Sequence, residues 1–281
     1  DTSTDSVSLA STANWDAHCV LTGGTCLSTG GTTVSAQGPT SRALLTWNGA
    51  QGIPFQWASL TSAQRSALTA GDATATSDRL SYLRGDRSKE ITSSGTGTFR
   101  ARTGVLGDIQ NSSPAWVGPP TTNYPDTWRD RLTGTQGAET GYSAFQSTYA
   151  TRPHVVYVGS NDGWLHGFRA GATDASGNFS TTTTPNDGRE VLGYMPSQVL
   201  GTIHSTTASL SYASASYIDN AYVDATPATG EIFYRGAWRT WLVGGLGAGG
   251  NAGGVINNRT ATGTGTIYAL DVTNPSSFSE A

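Results

Sequence analysis

A chain of 281 residues has room for one large all-β domain or two smaller ones. Only 13% of the residues are charged, and the net charge is −4. The basic residues are 15 arginines and the single Lys89. They are scattered along the sequence, which argues against a nucleic-acid partner. No apolar run reaches the roughly 18–20 residues of a membrane span. Polarity comes from Ser, Thr, Asn and Gln, and 36 glycines supply turns, a composition common among extracellular bacterial proteins.

Residues 1–41 predict an irregular N-terminal arm, because they contain few large apolar side chains. The arm holds the two cysteines of the chain, Cys19 and Cys26, with six residues between them. A zinc site needs about four ligands at defined spacings, and His18 with two cysteines does not supply them. A disulfide that closes a small loop is favoured over two free thiols, and it indicates an oxidising compartment.

Residues 42–48 predict a strand, and two short helices follow. Thr61 and Gln64 have the spacing of a capping box at the start of a helix. The sequence predicts a second helix that Ser77 caps, that ends at Gly85 and that packs through Leu80 and Leu83.

From residue 99 onward the sequence predicts strands, with loosely alternating residues over 99–106 and a short strand over 114–118. Residues 152–171 predict a β-hairpin with an Asp-Gly turn, and residues 240–272 predict a related one. Glycines that end similar runs recur about every 42 residues, a period typical of four-stranded propeller blades. About four such units fit after residue 97, fewer than most closed rings contain.

Several segments together resemble one family, the PilC/PilY-type tip proteins of type IV pili. The segments are 80–88 (LSYLRGDRS), 102–114 (RTGVLGDIQNSSP), 155–168 (VVYVGSNDGWLHGF), 188–196 (GREVLGYMP), 241–250 (WLVGGLGAGG) and 267–273 (IYALDVT). The resemblance runs from about residue 42 to residue 281. It implies that 42–281 form the N-terminal portion of a modified β-propeller with quinoprotein-like blades, two short helices and long inserted loops, whose ring is incomplete in this chain.

The resemblance further implies an exported bacterial protein at the pilus tip, on the cell surface. There it would support pilus assembly, control retraction and adhere to surfaces or host cells, with minor or major pilins and a surface or host-cell receptor as partners. The Asp-rich calcium loop of the family is absent, so no cofactor is expected in this segment, and a calcium site would lie beyond residue 281. Two alternatives stay open: a quinoprotein-type dehydrogenase propeller and a structural scaffold without adhesive function.

The candidate recognition residues lie in loops. The triplet Arg84-Gly85-Asp86 is one that integrin ligands present, although the end of a helix explains it more simply. Tyr124, Trp128 and Tyr142 lie in a Gly/Thr-rich insertion, 119–150, and loops on a rigid scaffold commonly carry recognition. The loop 246–264 is a second candidate contact surface, and no helix follows its glycines as a dinucleotide site would require.

No residue pattern predicts catalysis. His166 would need a carboxylate or hydroxyl neighbour to act as a base, and only Asp162 is near it in sequence. We therefore interpret His166 as a packed histidine, and we expect no catalytic residue, no metal ligand and no enzymatic activity.

Overall fold

The structure is a computed structural model that describes residues 10–129, 134, 141–250, 255, 256, 259, 260 and 265–281. The described helices are short: α1 (Ala17–Thr22), α2 (Ser62–Leu68), α3 (Asp78–Leu83), α4 (Tyr142–Thr148) and α5 (Ser197–Leu200). The described strands are β1 (Gly24–Cys26), β2 (Thr32–Val34), β3 (Leu44–Trp47), β4 (Gly52–Pro54), β5 (Ala115–Val117), β6 (Pro153–Gly159), β7 (Leu165–Thr173), β8 (Phe179–Ser180), β9 (Glu190–Met195), β10 (Ala228–Tyr234), β11 (Ala237–Gly245), β12 (Val255–Ile256), β13 (Arg259–Thr260) and β14 (Ile267–Asp271). Within these ranges no helix has the length and apolar character that crossing a membrane requires.

The two predicted helices are confirmed as α2 and α3, but the predicted cap of α3 is wrong, because the Ser77 side chain makes no hydrogen bond to the first turn. At the start of α2, the Thr61 hydroxyl accepts from the Gln64 amide at 3.2 Å, and the Gln64 side chain accepts from the Thr61 amide at 3.0 Å. At the end of α3, Gly85 takes a φ of 107°, and the amides of Gly85 and Asp86 donate to the carbonyls of Tyr82 and Ser81. This is a Schellman end, which favours glycine because the backbone is left-handed there.

Seven strands form the first sheet, in the order β4-β3-β9-β7-β6-β5 with β8 added beside β7. All neighbours in it are antiparallel except β3 and β9. The predicted hairpin over 152–171 is confirmed as β6–β7, with Val156 opposite Phe168 and Val158 opposite His166. Its turn needs Gly163, whose φ is 96°.

The second sheet has the order β10-β11-β14. The predicted pairing within 240–272 is confirmed, with Trp241 opposite Asp271 and Val243 opposite Ala269. Leu242 and Tyr268 point from this sheet into the same buried cluster as Tyr157 and Tyr194 of the first sheet. The rings of Tyr194 and Tyr268 are 5.3 Å apart, so the two sheets share one core.

The strand predicted over 99–106 is wrong. Only Phe99 makes an isolated bridge, to Glu90, and the segment then follows helix α3 instead of a sheet. The reason is Arg102, whose buried guanidinium donates to Glu90 at 2.7 Å and to the carbonyls of Tyr82 and Asp86. These contacts hold the backbone against the helix.

The N-terminal arm packs on the β6–β7 hairpin. Cys19 of α1 and Cys26 of β1 form the predicted disulfide, with Cα atoms 5.9 Å apart. Leu21 is buried beside Val105, Val158 and Phe168. The Gln37 side chain exchanges two hydrogen bonds of 2.8 Å with the backbone of Glu190. The division between an arm and a propeller segment at residues 41 and 42 stays a prediction.

Candidate functional site

The insertion 119–150 brings two of its candidate aromatic residues to the surface of the second sheet. There they border a depression of about 460 Å³, which we call the aromatic groove. Its described lining residues are Tyr124, Pro125, Trp128, Glu231, Ile232, Phe233 and Trp238. The first three come from the insertion, and the other four come from β10 and β11. The groove therefore forms only when residues about 110 apart in sequence meet.

Ring contacts hold the groove together. Tyr124 stacks on Trp238, with ring centroids 5.0 Å apart and planes at 22°. Trp128 meets Phe233 edge-on at 6.4 Å, and Phe233 meets Trp238 edge-on at 5.6 Å. Offset-stacked and edge-on pairs of this kind contribute about 0.5–1.5 kcal/mol each beyond the area they bury. The rings are therefore positioned before any ligand arrives.

Tyr142 plays a different part from Tyr124 and Trp128. Its ring lies 5.2 Å from Tyr124 and 4.9 Å from Trp238, and only 1% of the residue is exposed. By contrast, 42% of Tyr124 and 37% of Trp128 are exposed. The structure thus places Tyr142 as a support beneath the groove, whereas Tyr124 and Trp128 are open to a ligand.

Polar contacts fix the insertion on both sides of the groove. The Thr122 hydroxyl donates to Glu231 at 2.5 Å. The Asp126 carboxylate accepts from the Ser143 amide at 2.8 Å and from its hydroxyl at 2.5 Å, in the first turn of α4. These hydrogen bonds from Ser143 lower the pKa of Asp126. Asp126 therefore stays ionised and anchors the loop that carries Tyr124 and Trp128.

The triplet Arg84-Gly85-Asp86 lies at the end of α3. The Arg84 guanidinium is 11% exposed and donates to Glu280 at 2.9 and 3.2 Å. It also donates to the carbonyls of Phe55 and Pro39, and the Asp86 carboxylate accepts from the Ser88 amide at 2.8 Å. A receptor that bound Arg84 would have to displace Glu280, and a recognition role for the triplet stays a prediction.

The second candidate contact surface, the loop 246–264, falls mostly outside the described residues. Of that loop the structure describes Leu246, which is buried in the core, Gly247–Gly250, which form a short 3-10 turn, and the backbone of β12 and β13. The interpretation of its glycines as a connection between strands stays a prediction.

His166 has two carboxylate neighbours, of which the sequence indicated only Asp162. Its Nε2 is 3.1 Å from an Asp162 oxygen, and its Nδ1 is 2.5 Å from a Glu190 oxygen. Glu190 also forms an ion pair with Arg42, 148 residues earlier in the chain. The side chains of Asp162, Glu190 and Arg42 are each at most 5% exposed. We call His166, Asp162, Glu190 and Arg42 the buried charge cluster.

The buried charge cluster is electrically balanced. Burial alone lowers the pKa of the His166 imidazole, but the Asp162 carboxylate and then Glu190 outweigh it and raise this pKa to about 9. Burial raises the pKa of the Glu190 carboxyl, and Arg42 and His166 outweigh that effect and lower it. His166 is therefore an imidazolium that donates to both carboxylates.

Two positive and two negative groups compensate one another in this cluster, away from solvent. In the described ranges both ring nitrogens of His166 bond to carboxylates and neither bonds to a hydroxyl or thiol, so the arrangement is a buried ion network. Over the same residues, no group of three or more His, Cys, Asp or Glu side chains is placed to hold a metal ion. The sequence analysis did not identify Glu190 as a partner of His166. One feature of the sequence could have indicated it, since Glu190 is a charged residue at the start of the apolar strand 190–195.

Two mostly antiparallel sheets with few short helices, which pack through a common core, fit a domain of the modified β-propeller type. The profile of the PilY1 beta-propeller domain matches residues 106–274, which include both hairpins and the aromatic groove. The chain belongs to this PilY1 family, and the predicted modified propeller is confirmed.

Known relatives agree with that assignment. The chain is 34% identical over 244 residues to the type IV pilus biogenesis factor PilY1 of Pseudomonas aeruginosa strain PAK, an alignment covering 84% of this chain and 17% of the relative. It is also 34% identical to a PilY1 homolog of Xylella fastidiosa, over 73% of this chain and 14% of the relative. The chain thus spans less than a fifth of these relatives' length.

Among solved structures, the C-terminal domain of Pseudomonas aeruginosa PilY1 matches 48% of this chain and 19% of its own chain, at 32% identity and a TM-score of 0.27.

Proposed function

We propose that this chain is part of an exported type IV pilus protein that supports pilus assembly, controls retraction and adheres to surfaces or host cells from the pilus tip. Two relatives that share about a third of its residues are named type IV pilus biogenesis factors, and this supports the pilus role. The proposed partners are minor or major pilins on one side and a surface or host-cell receptor on the other.

The observation that carries the adhesive part is the contrast between the aromatic groove and the buried charge cluster. The groove presents exposed aromatic rings on a rigid sheet, an arrangement suited to binding. The buried charge cluster is closed to solvent and its charges compensate one another, so its His166 and carboxylates stabilise the fold. This contrast favours recognition over catalysis, and nothing specific favours the dehydrogenase alternative.

Deletion of the gene in the source bacterium tests the pilus role. We expect fewer surface pili and weaker attachment, both restored by the wild-type gene. Electron microscopy counts the pili, and an attachment assay counts bound cells. Unchanged piliation and attachment in the deletion strain would refute the proposal.

Complementation with variants separates adhesion from assembly. Trp128→Ala should restore piliation but not attachment, because it removes an exposed ring of the groove. Trp47→Ala is the matched control, since Trp47 is 40% exposed and lies on β3, outside the groove. If Trp128→Ala restores attachment fully, the groove has no adhesive role and the structural-scaffold alternative gains support.

A further inference from the structure

The described lining of the aromatic groove is complementary to an organic cation. Four of its residues are aromatic, one is the carboxylate Glu231, and the lining residues described include no arginine, lysine or histidine. Aromatic rings carry negative charge on their faces and attract cations within about 6 Å of the ring centroid. Ring faces and carboxylate thus attract the same sign of charge.

Among cations, the groove suits one that needs no hydrogen bonds. A lysine ammonium carries three N–H donors, each of which requires an acceptor once water is removed. Glu231 is the single charged acceptor in the described lining, and it already accepts from the Thr122 hydroxyl. A sugar, with many hydroxyls, meets the same shortage of partners. A trimethylammonium group has positive charge and an apolar surface, and it leaves no donor unsatisfied.

The ring positions favour binding without rearrangement. Tyr124 is held by Trp238 and by Tyr142 below, and Trp128 is held by Phe233. Little conformational entropy is lost when such rings receive a ligand. Of the charged residues outside the lining, Asp126 and Arg129 are exposed and opposite in sign, and the buried Arg152 guanidinium interacts with Glu231, whose carboxylate partly offsets the lowering of the Arg152 pKa by burial.

The exposure of the rings indicates where the cation comes from. Trp128 and Tyr124 reach the surface, and tryptophan and tyrosine are the residues that settle at the headgroup level of membranes. We propose that the aromatic groove binds the choline headgroup of phosphatidylcholine on a membrane surface, an inference that rests on the proposed adhesive function. The trimethylammonium group would lie among the four rings, beside Glu231.

Titration calorimetry of the full-length protein tests the headgroup chemistry with choline chloride. The matched ligand is its neutral tert-butyl analogue, in which carbon replaces the quaternary nitrogen. We expect saturable choline binding and about tenfold weaker binding of the neutral analogue, because only choline has the cation–ring and carboxylate attraction. Equal binding of both, or no saturable choline binding, would overturn the proposal.

Protein variants locate the site. Trp128→Ala and Glu231→Gln should each weaken choline binding by about fivefold or more, whereas Trp47→Ala should leave it unchanged. Glu231→Gln retains an acceptor for Thr122, so it removes the charge with little change of structure. Full choline affinity in both groove variants would place the site elsewhere and refute the assignment.

Vesicles test the lipid source. The protein should sediment with phosphatidylcholine vesicles and stay in the supernatant with phosphatidylglycerol vesicles. Choline chloride should release it from the phosphatidylcholine vesicles. Binding of free choline without vesicle binding would overturn the lipid source, and binding of glycans or proline-rich peptides without choline binding would overturn the ligand class. If choline fails to bind while Trp128→Ala still abolishes bacterial attachment, this inference is wrong and the proposed function stands.

Discussion

The two sheets of this chain bury their side chains differently. In the first, no residue of strands β6 and β7 is exposed and most are buried, His166 among them. In the second, the two faces of β11 differ: Leu242 is fully buried, whereas 43% of Val243 is exposed. Ile267 and Ile232, on the same side as Val243, are 80% and 45% exposed. The described residues therefore cover both faces of β6 and β7, whereas they leave one face of the second sheet open.

The two sheets are stabilised in different ways. In the interior of the first sheet, a charged side chain is stable only beside a group of opposite charge. Glu190 lies beside Arg42 and His166 for this reason. In the second sheet, an apolar face that stays exposed is typical of an interaction surface.

The largest expected effect comes from the buried charge cluster. Glu190→Ala leaves the Arg42 guanidinium and the His166 imidazolium buried without their shared carboxylate, and it should lower the free energy of unfolding by about 3–5 kcal/mol. Arg239→Ala, which removes the half-exposed pair with Asp271 on the second sheet, should lower it by less than about 1 kcal/mol. Urea denaturation measures both. Similar losses would show that the two ion pairs are equally buried in solution.

The next effect tests the two faces of the second sheet. Leu242→Ala opens a cavity between the sheets and should lower the free energy of unfolding by about 2–5 kcal/mol. Ile267→Ala, on the open face, should change it by less than about 0.5 kcal/mol. The same denaturation experiment gives both values. A large loss for Ile267→Ala would mean that this face is packed.

The pH dependence of stability should come from the first sheet. The pKa of His166 is about 9 in the folded chain, against 6.5 for an unperturbed histidine. The stabilisation is therefore complete below about pH 6.5 and is lost as pH rises towards 9, by on the order of 2–3 kcal/mol. Denaturation at several pH values should show this decline in the wild type. His166→Gln should be less stable at neutral pH and lack the decline, and a decline that persists in it would assign the effect to another group.

The smallest expected effect sharpens the assignment of the open face. Val243→Lys adds a charge where the side chain is already half exposed, so the free energy of unfolding should change by less than about 0.5 kcal/mol. We expect the exposed apolar residues of this face to promote association between copies of the chain. Val243→Lys should therefore also weaken that association, which analytical ultracentrifugation measures. A wild-type chain that stays monomeric at high concentration would show that this face does not promote self-association.

Local interactions explain which features could be predicted. The capping box at Thr61 and the glycine end at Gly85 involve residues within a few positions of each other, and the Asp-Gly turn of the β6–β7 hairpin does too. The cysteine pair closes a loop of similar size. Backbone hydrogen bonds and steric limits act at this range, so the pattern of residues is sufficient.

The all-β class, the two hairpins, helices α2 and α3, and the family could all be predicted from the order of the residues. Only the tertiary structure decided that Glu190 and Arg42 neutralise His166, and that Tyr124 and Trp128 meet Trp238 and Phe233. These contacts join residues up to about 150 positions apart, and they depend on strand order and on which face each strand buries. Alternation within one strand carries no information about which distant strand lies beside it, because that choice is made by the packing of the whole core.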